Sequence, residues 1–126
     1  MKTFRIALAN LRFPETPEES VSLVQQAIVE AAGERAGLIC FPECFVPGYR
    51  GRNRQIPSPD TAFLERAWSN VATAAGKANM AVILGMERIV DDALLITALE
   101  KSRRPPRQAL QTGIETSSAY DLRLRH

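Results

Sequence analysis

One carboxylate stands alone in a run of apolar and turn-forming residues, Ile39-Cys40-Phe41-Pro42-Glu43-Cys44-Phe45-Val46-Pro47-Gly48-Tyr49. Of the side chains that do chemistry, the stretch holds Glu43, the thiols of Cys40 and Cys44, and the phenol of Tyr49. Phe41, Pro42, Phe45 and Val46 partly desolvate a carboxylate placed between them, which suits it to act as a general base near neutrality. Position alone fits a solvated glutamate, or one capping a backbone amide, as well as it fits a base. The thiols are poorer candidates, because a nucleophilic thiolate needs a cationic neighbour and the motif supplies none. In an extended segment Cys44 and Glu43 point to opposite sides, which rules against a nucleophile and base pair. Cys40, on an apolar strand, reads as a core residue. Tyr49 reads either as a pocket-lining residue or as a packed loop aromatic.

The rest of the chain offers little competing chemistry. Cys40 and Cys44 lie too close to staple a fold, and His126 is the only histidine, so no zinc-ligand set can be assembled. No phosphate-cradling glycine loop occurs, and no cofactor is expected. The apolar runs are too short to span a bilayer, and Met1-Lys2-Thr3-Phe4-Arg5 lacks the apolar stretch of a signal peptide, so the expected location is the cytoplasm with no membrane partner. The formal net charge of +2 hides an uneven distribution. Residues 1–99 carry 10 Lys/Arg against 11 Asp/Glu, whereas residues 100–126 carry 6 against 3. With Tyr120 as its single aromatic, this basic end reads as a solvated tail and not as a nucleic-acid surface.

These residues need elements to position them. Phe4–Asn10 is a mostly apolar run that suits a buried first strand. Thr16-Pro17-Glu18-Glu19 has the form of a capping box, with Thr16 as N-cap, Pro17 at the first helical position and Glu19 reaching back. Val21, Val24, Ile28 and Ala31 then mark one helical face, and Gly33 is a natural stop. Gly37–Phe41 forms the second strand, ended by Pro42. The connection from Pro42 to Pro59 is longer than ordinary loops and therefore reads as functional. A second helix starts near Ser58 or Asp60, turns Phe63, Ala67, Val71 and Ala74 or Ala75 inward, and closes at Gly76 and Asn79. Met80–Met86 is the third strand, Glu87–Asp92 a polar turn and Ala93–Leu99 the fourth strand. This order predicts an α/β layered sheet with helices on one face. It also places Glu43 just past the carboxyl end of the second strand, where open α/β sheets bind ligands.

The same residues carry a resemblance. The strand FRIALANLRF, the strand and loop GLICFPECFVPGY, and AVILGMERIVDDALLITAL resemble the N-terminal part of the carbon-nitrogen hydrolase, or nitrilase, superfamily over residues 1–99. The resemblance implies part of a four-layer αββα sandwich, here a β-α-β-α-β-β half-domain followed by an irregular C-terminal tail. It further implies hydrolysis of a small amide or nitrile by a glutamate, lysine and cysteine triad, and the glutamate of its FPE signature maps onto Glu43. In such a triad the thiolate attacks the carbon of the C–N bond, the glutamate moves protons and the lysine stabilises the tetrahedral intermediate.

Two departures stand beside the match. Leu95-Ile96-Thr97 occupies the place where the family often has an aromatic residue followed by asparagine. Beyond Leu99 the one lysine, Lys101, comes too early for the triad, and residues 100–126 contain no cysteine. The sequence thus reads as a truncated member whose residues 100–126 are an unstructured or frameshifted basic tail. A half-sandwich leaves apolar surface uncovered, so a homo-oligomer or pairing with a full-length relative is expected.

Overall fold

Thr16 opens the first helix of the computed structural model, which describes residues 3–51, 55–58 and 60–101 together with the backbone of 117–122. The elements in chain order are β1 (Ile6–Leu8), α1 (Pro17–Gly33), β2 (Leu38–Cys40), α2 (Thr61–Ala78), β3 (Ala81–Val90), β4 (Ala93–Lys101) and β5 (Ser117–Leu122). The Thr16 hydroxyl accepts the Glu19 amide at 3.1 Å, as an N-cap does. Glu19 does not complete the box. Its carboxylate takes the Glu15 amide at 3.3 Å and pairs with Arg12 instead. At the other end Gly33 is the last helical residue, and the left-handed turn falls on Arg35, with φ of 60°.

The second helix begins at the later of the two expected positions, Asp60, whose carboxylate accepts the Phe63 amide at 3.2 Å. It ends at Asn79, left-handed with φ of 50°, a conformation asparagine tolerates. Its inward face is Leu64, Ala67, Val71 and Ala75, one residue out of step with the expected Phe63 at the first turn.

The sheet order is β1-β2-β3-β4-β5, the same as the chain order. β1, β2 and β3 run parallel through the two helical crossovers, and β3, β4 and β5 continue antiparallel. Glu87–Val90, expected in a turn, extend β3. The reversal is confined to Asp91 and Asp92, with φ of 49° and 61°. Two consecutive left-handed residues between paired Val90 and Ala93 form the tight hairpin that suits the twist of antiparallel strands. Within the stretch expected to be irregular, β4 runs on to Lys101 and Ser117–Leu122 pairs with it. Residues 102–116 and 123–126 of that stretch lie outside the described residues.

Both helices bury themselves on one face of the sheet. A single core joins Val24 and Ile28 of α1, Leu64 and Val71 of α2, and Ile39, Val82 and Leu84 of the strands. Side chains alternate along a strand, so Ile6, Leu8, Leu38, Cys40 and Ile83 face the other way. There Ile6 and Leu8 are 56% and 78% exposed. This second face is apolar, and no described helix covers it.

Candidate active site

The path of the chain after β2 decides where Glu43 stands. The Phe41 amide still bonds the Ile83 carbonyl at 2.9 Å, so the ladder with β3 persists one residue past Cys40. Pro42 lacks an N–H and breaks it. The chain turns over residues 43–45, with Cys44 in the left-handed region at φ of 50°, and then rejoins β3. Val46 donates to the Gly85 carbonyl at 3.3 Å and accepts from the Glu87 amide at 3.0 Å. The excursion from Pro42 to Phe45 is pinned at both ends to one strand.

Gly85 makes room for it. A Cβ there would lie 2.7 Å from Glu43 Cα and 2.8 Å from the Pro42 carbonyl carbon, closer than real contacts allow, and would press on the Pro42 carbonyl oxygen. Leu84 and Met86 are buried toward the helices, so the open side of Gly85 is the face away from them. Glu43 therefore sits on the uncovered face of the sheet. Its side chain is exposed, and among the described residues its carboxylate has no hydrogen-bond partner. The expected desolvation is not present: Phe41 and Phe45 are buried, their rings tilted by 39° with centres 6.0 Å apart.

Cys44 is the buried neighbour, 4% exposed. Its thiol is pushed up from 9.0 to about 11, first by burial and then by the charges of Glu87 and Glu43, with Arg50 opposing. It stays a thiol near neutral pH and is no nucleophile there. The segment around it is a turn and not extended, so the separation of Cys44 from Glu43 arises from one side chain going in and the other out. Cys40 is half-buried. Tyr49 is 48% exposed, so it is not a packed aromatic. Lys101 pairs in register with Val82, three positions from Gly85 along β3, or about 10 Å, and it is not a partner for Glu43.

The structure adds two residues that sequence reasoning missed. Arg50 grips Glu87 through both carboxylate oxygens, Nε to Oε1 at 2.6 Å and Nη2 to Oε2 at 3.1 Å. Its remaining donors reach the Ile56 carbonyl at 3.1 Å and the Pro57 carbonyl at 2.9 Å. Glu87 is 2% exposed, and the bond to it holds Arg50 all the more firmly protonated. The signal was present in the sequence. Ile89 and Val90 resume the apolar pattern after Glu87-Arg88, and Asp91-Asp92 sits where a two-residue hairpin turn would. A strand read through to Val90 puts a buried carboxylate at Glu87, and such a group needs a cation.

Thr97 closes the arrangement from β4, its hydroxyl bonding the Met86 carbonyl at 2.8 Å. A cavity of about 490 Å³ lies between α2 and β3, lined by Leu64, Trp68, Met86 and Glu87 among others; it does not reach Glu43. Among the described residues no cluster of three or more His, Cys, Asp or Glu side chains could hold a metal ion. No described helix is long and apolar enough to cross a membrane. The site is thus a carboxylate on open sheet, fixed by its backbone and flanked by an ion pair of which Glu87 is buried and Arg50 partly exposed.

Comparison with known proteins fits this geometry. The family model for carbon-nitrogen hydrolases matches residues 5–99. An arylacetonitrilase from Arthroderma benhamiae is 34% identical, over 57% of this chain and 24% of its own length. Among solved structures, an amidase from Nesterenkonia sp. AN1 superposes with a TM-score of 0.69 at 20% identity, covering 98% of this chain and 46% of the amidase. A double mutant of that amidase in complex with acrylamide gives a TM-score of 0.62 at 20% identity, covering 79% of this chain and 38% of the amidase. The chain therefore spans about a quarter of the arylacetonitrilase and under half of the amidase.

Proposed function

Since the chain belongs to the carbon-nitrogen hydrolase family, we propose that residues 1–99 supply the proton-transfer part of a hydrolase acting on a small amide or nitrile, with Glu43 as general base. The observation that carries this reading is the placement of Glu43, an exposed carboxylate with no hydrogen bond among the described residues, on the uncovered face of the sheet and held at a fixed point by Gly85 and Val46.

The chemistry asks three things of a site: a base, a nucleophile and a positive charge. This chain provides the first. Neither Cys44, held as a thiol, nor Lys101, on β4 and three register positions from Gly85, provides the others. The thiol and ammonium come from residues outside these 126, on the same or a second polypeptide. Packed against the open sheet, they would exclude water from Glu43 and give it the environment of a base. With an amide, the carboxylate takes the thiol proton as sulfur bonds to the carbonyl carbon. It returns that proton to the departing nitrogen, and then takes one from the water that hydrolyses the thioester.

Ammonia release from small amides and arylacetonitriles, measured on the protein isolated from its own cells, tests the proposal. Glu43→Gln should abolish release, by at least about 100-fold for the loss of a general base. Turnover unaffected by that substitution would refute the role of Glu43. A second reading is favoured by the exposed Ile6 and Leu8: a non-catalytic chain that pairs through its open face with a full-length relative. Absence of hydrolysis together with co-purification of such a relative would support it.

A further inference from the structure

We infer that Arg50 and Glu87 form a clasp that positions Glu43, making them positioning residues for the reaction proposed above. No described side chain bonds the Glu43 carboxylate, so among the described residues its location is set by the backbone excursion from Pro42 to Phe45. That excursion ends at Val46, whose two ladder bonds go to the Gly85 carbonyl and the Glu87 amide. The Glu87 backbone therefore receives the returning chain while its side chain holds Arg50, four residues farther along the same loop.

The guanidinium then extends the connection. From one planar group, bonds run to β3 through both oxygens of Glu87 and to the loop's far limb through the carbonyls of Ile56 and Pro57. The near limb, the far limb and the strand meet at Arg50. Four of its five N–H donors are engaged, which leaves little to offer a substrate. The group works as a fastener and not as an anion receptor. Only a planar fork reaches these partners together; an ammonium holds them one at a time.

The inference rests on the reading of Glu43 for its catalytic consequence, but not for its structural one, and the test separates the two. A single Arg50→Met change strands the buried Glu87 charge and can unfold the protein. Arg50→Met combined with Glu87→Met removes both charges and keeps the volume filled. Amide hydrogen exchange on the folded protein is compared at Val46 and Glu87, the clasped ladder, and at Ile28 and Val71, in the helices.

In the double variant the Val46 and Glu87 amides should exchange at least ten-fold faster while Ile28 and Val71 hold. Arg50→Lys should fall between the double variant and the parent. Unchanged protection at Val46 and Glu87, or equal acceleration at all four amides, overturns the clasp. Full protection with Arg50→Lys overturns the requirement for a planar fork. In the ammonia-release assay the double variant should lower kcat about 10- to 100-fold with KM within about two-fold, as expected for a displaced base. Faster local exchange with kcat intact would leave the loop fastened by Arg50 but end its claim to position Glu43. Hydrolysis indifferent to Glu43→Gln would instead sink the base reading while the exchange result stands.

Discussion

Cys44 occupies the left-handed region without being glycine, at a cost of about 1 kcal/mol. Its thiol is buried, and its proton leaves only near pH 11, against 9.0 when exposed. The folded state therefore holds this proton over a range where the unfolded chain has released it, and stability must fall as pH rises from 9.0 to about 11. Cys44→Ala has no such group. Denaturant titrations should show the parent losing at most about 3 kcal/mol more than the variant across that window. Below it the difference between the two should not depend on pH. At neutral pH, alkylation of Cys44 in the folded protein should run about 100-fold slower than in the unfolded chain, read by peptide mass.

Among the elements, the crossing of the Pro42–Phe45 turn over β3 is the tightest contact, and it depends on one missing methyl group. Gly85→Ala places a carbon against the Pro42 carbonyl and the Glu43 Cα, so the turn must lift or the strand bend. A loss of about 1–3 kcal/mol in denaturant unfolding is expected, the range of an overpacked core. The amide signals of residues 43–46 should shift while those of α1 stay. How much of this was legible differs by element. The N-cap role of Thr16, a second helix starting at one of Ser58 or Asp60, and a second strand ended by Pro42 follow from local chemistry and stand in the structure. The reach of β3 to Val90 was signalled by Ile89, Val90 and Asp91-Asp92 but was outweighed by Glu87-Arg88, which look like turn residues until Arg50 is known to meet Glu87. Glu43 was legible as an address. That Phe41 and Phe45 turn inward and leave its carboxylate in water was not, since a left-handed residue at Cys44 has no local signature.

On the scale of the whole molecule, the two faces of the sheet differ. One carries both helices and the core; the other presents Ile6 and Leu8 of β1 and, over β3, Glu43. Exposed apolar surface of this kind marks an interaction site. Replacing Ile6 and Leu8 together with lysine should weaken binding of a hydrophobic dye, with little change in helix content by circular dichroism. Dye binding equal to that of the parent would mean that the apolar surface responsible lies elsewhere.

The strands lie side by side in the order in which they occur along the chain. Each one emerging from the ribosome finds its neighbour already made, although the two parallel pairs close only across a whole helix and the β3-β4 hairpin across two residues. Assembly can then proceed from the N-terminus during synthesis, β1 to β3 first with their helices and the hairpin afterwards. A nascent chain stalled just after β4 has left the exit tunnel should already resist protease in its first ninety or so residues. The face bearing Glu43 would be laid down early and stand ready before anything arrives to cover it.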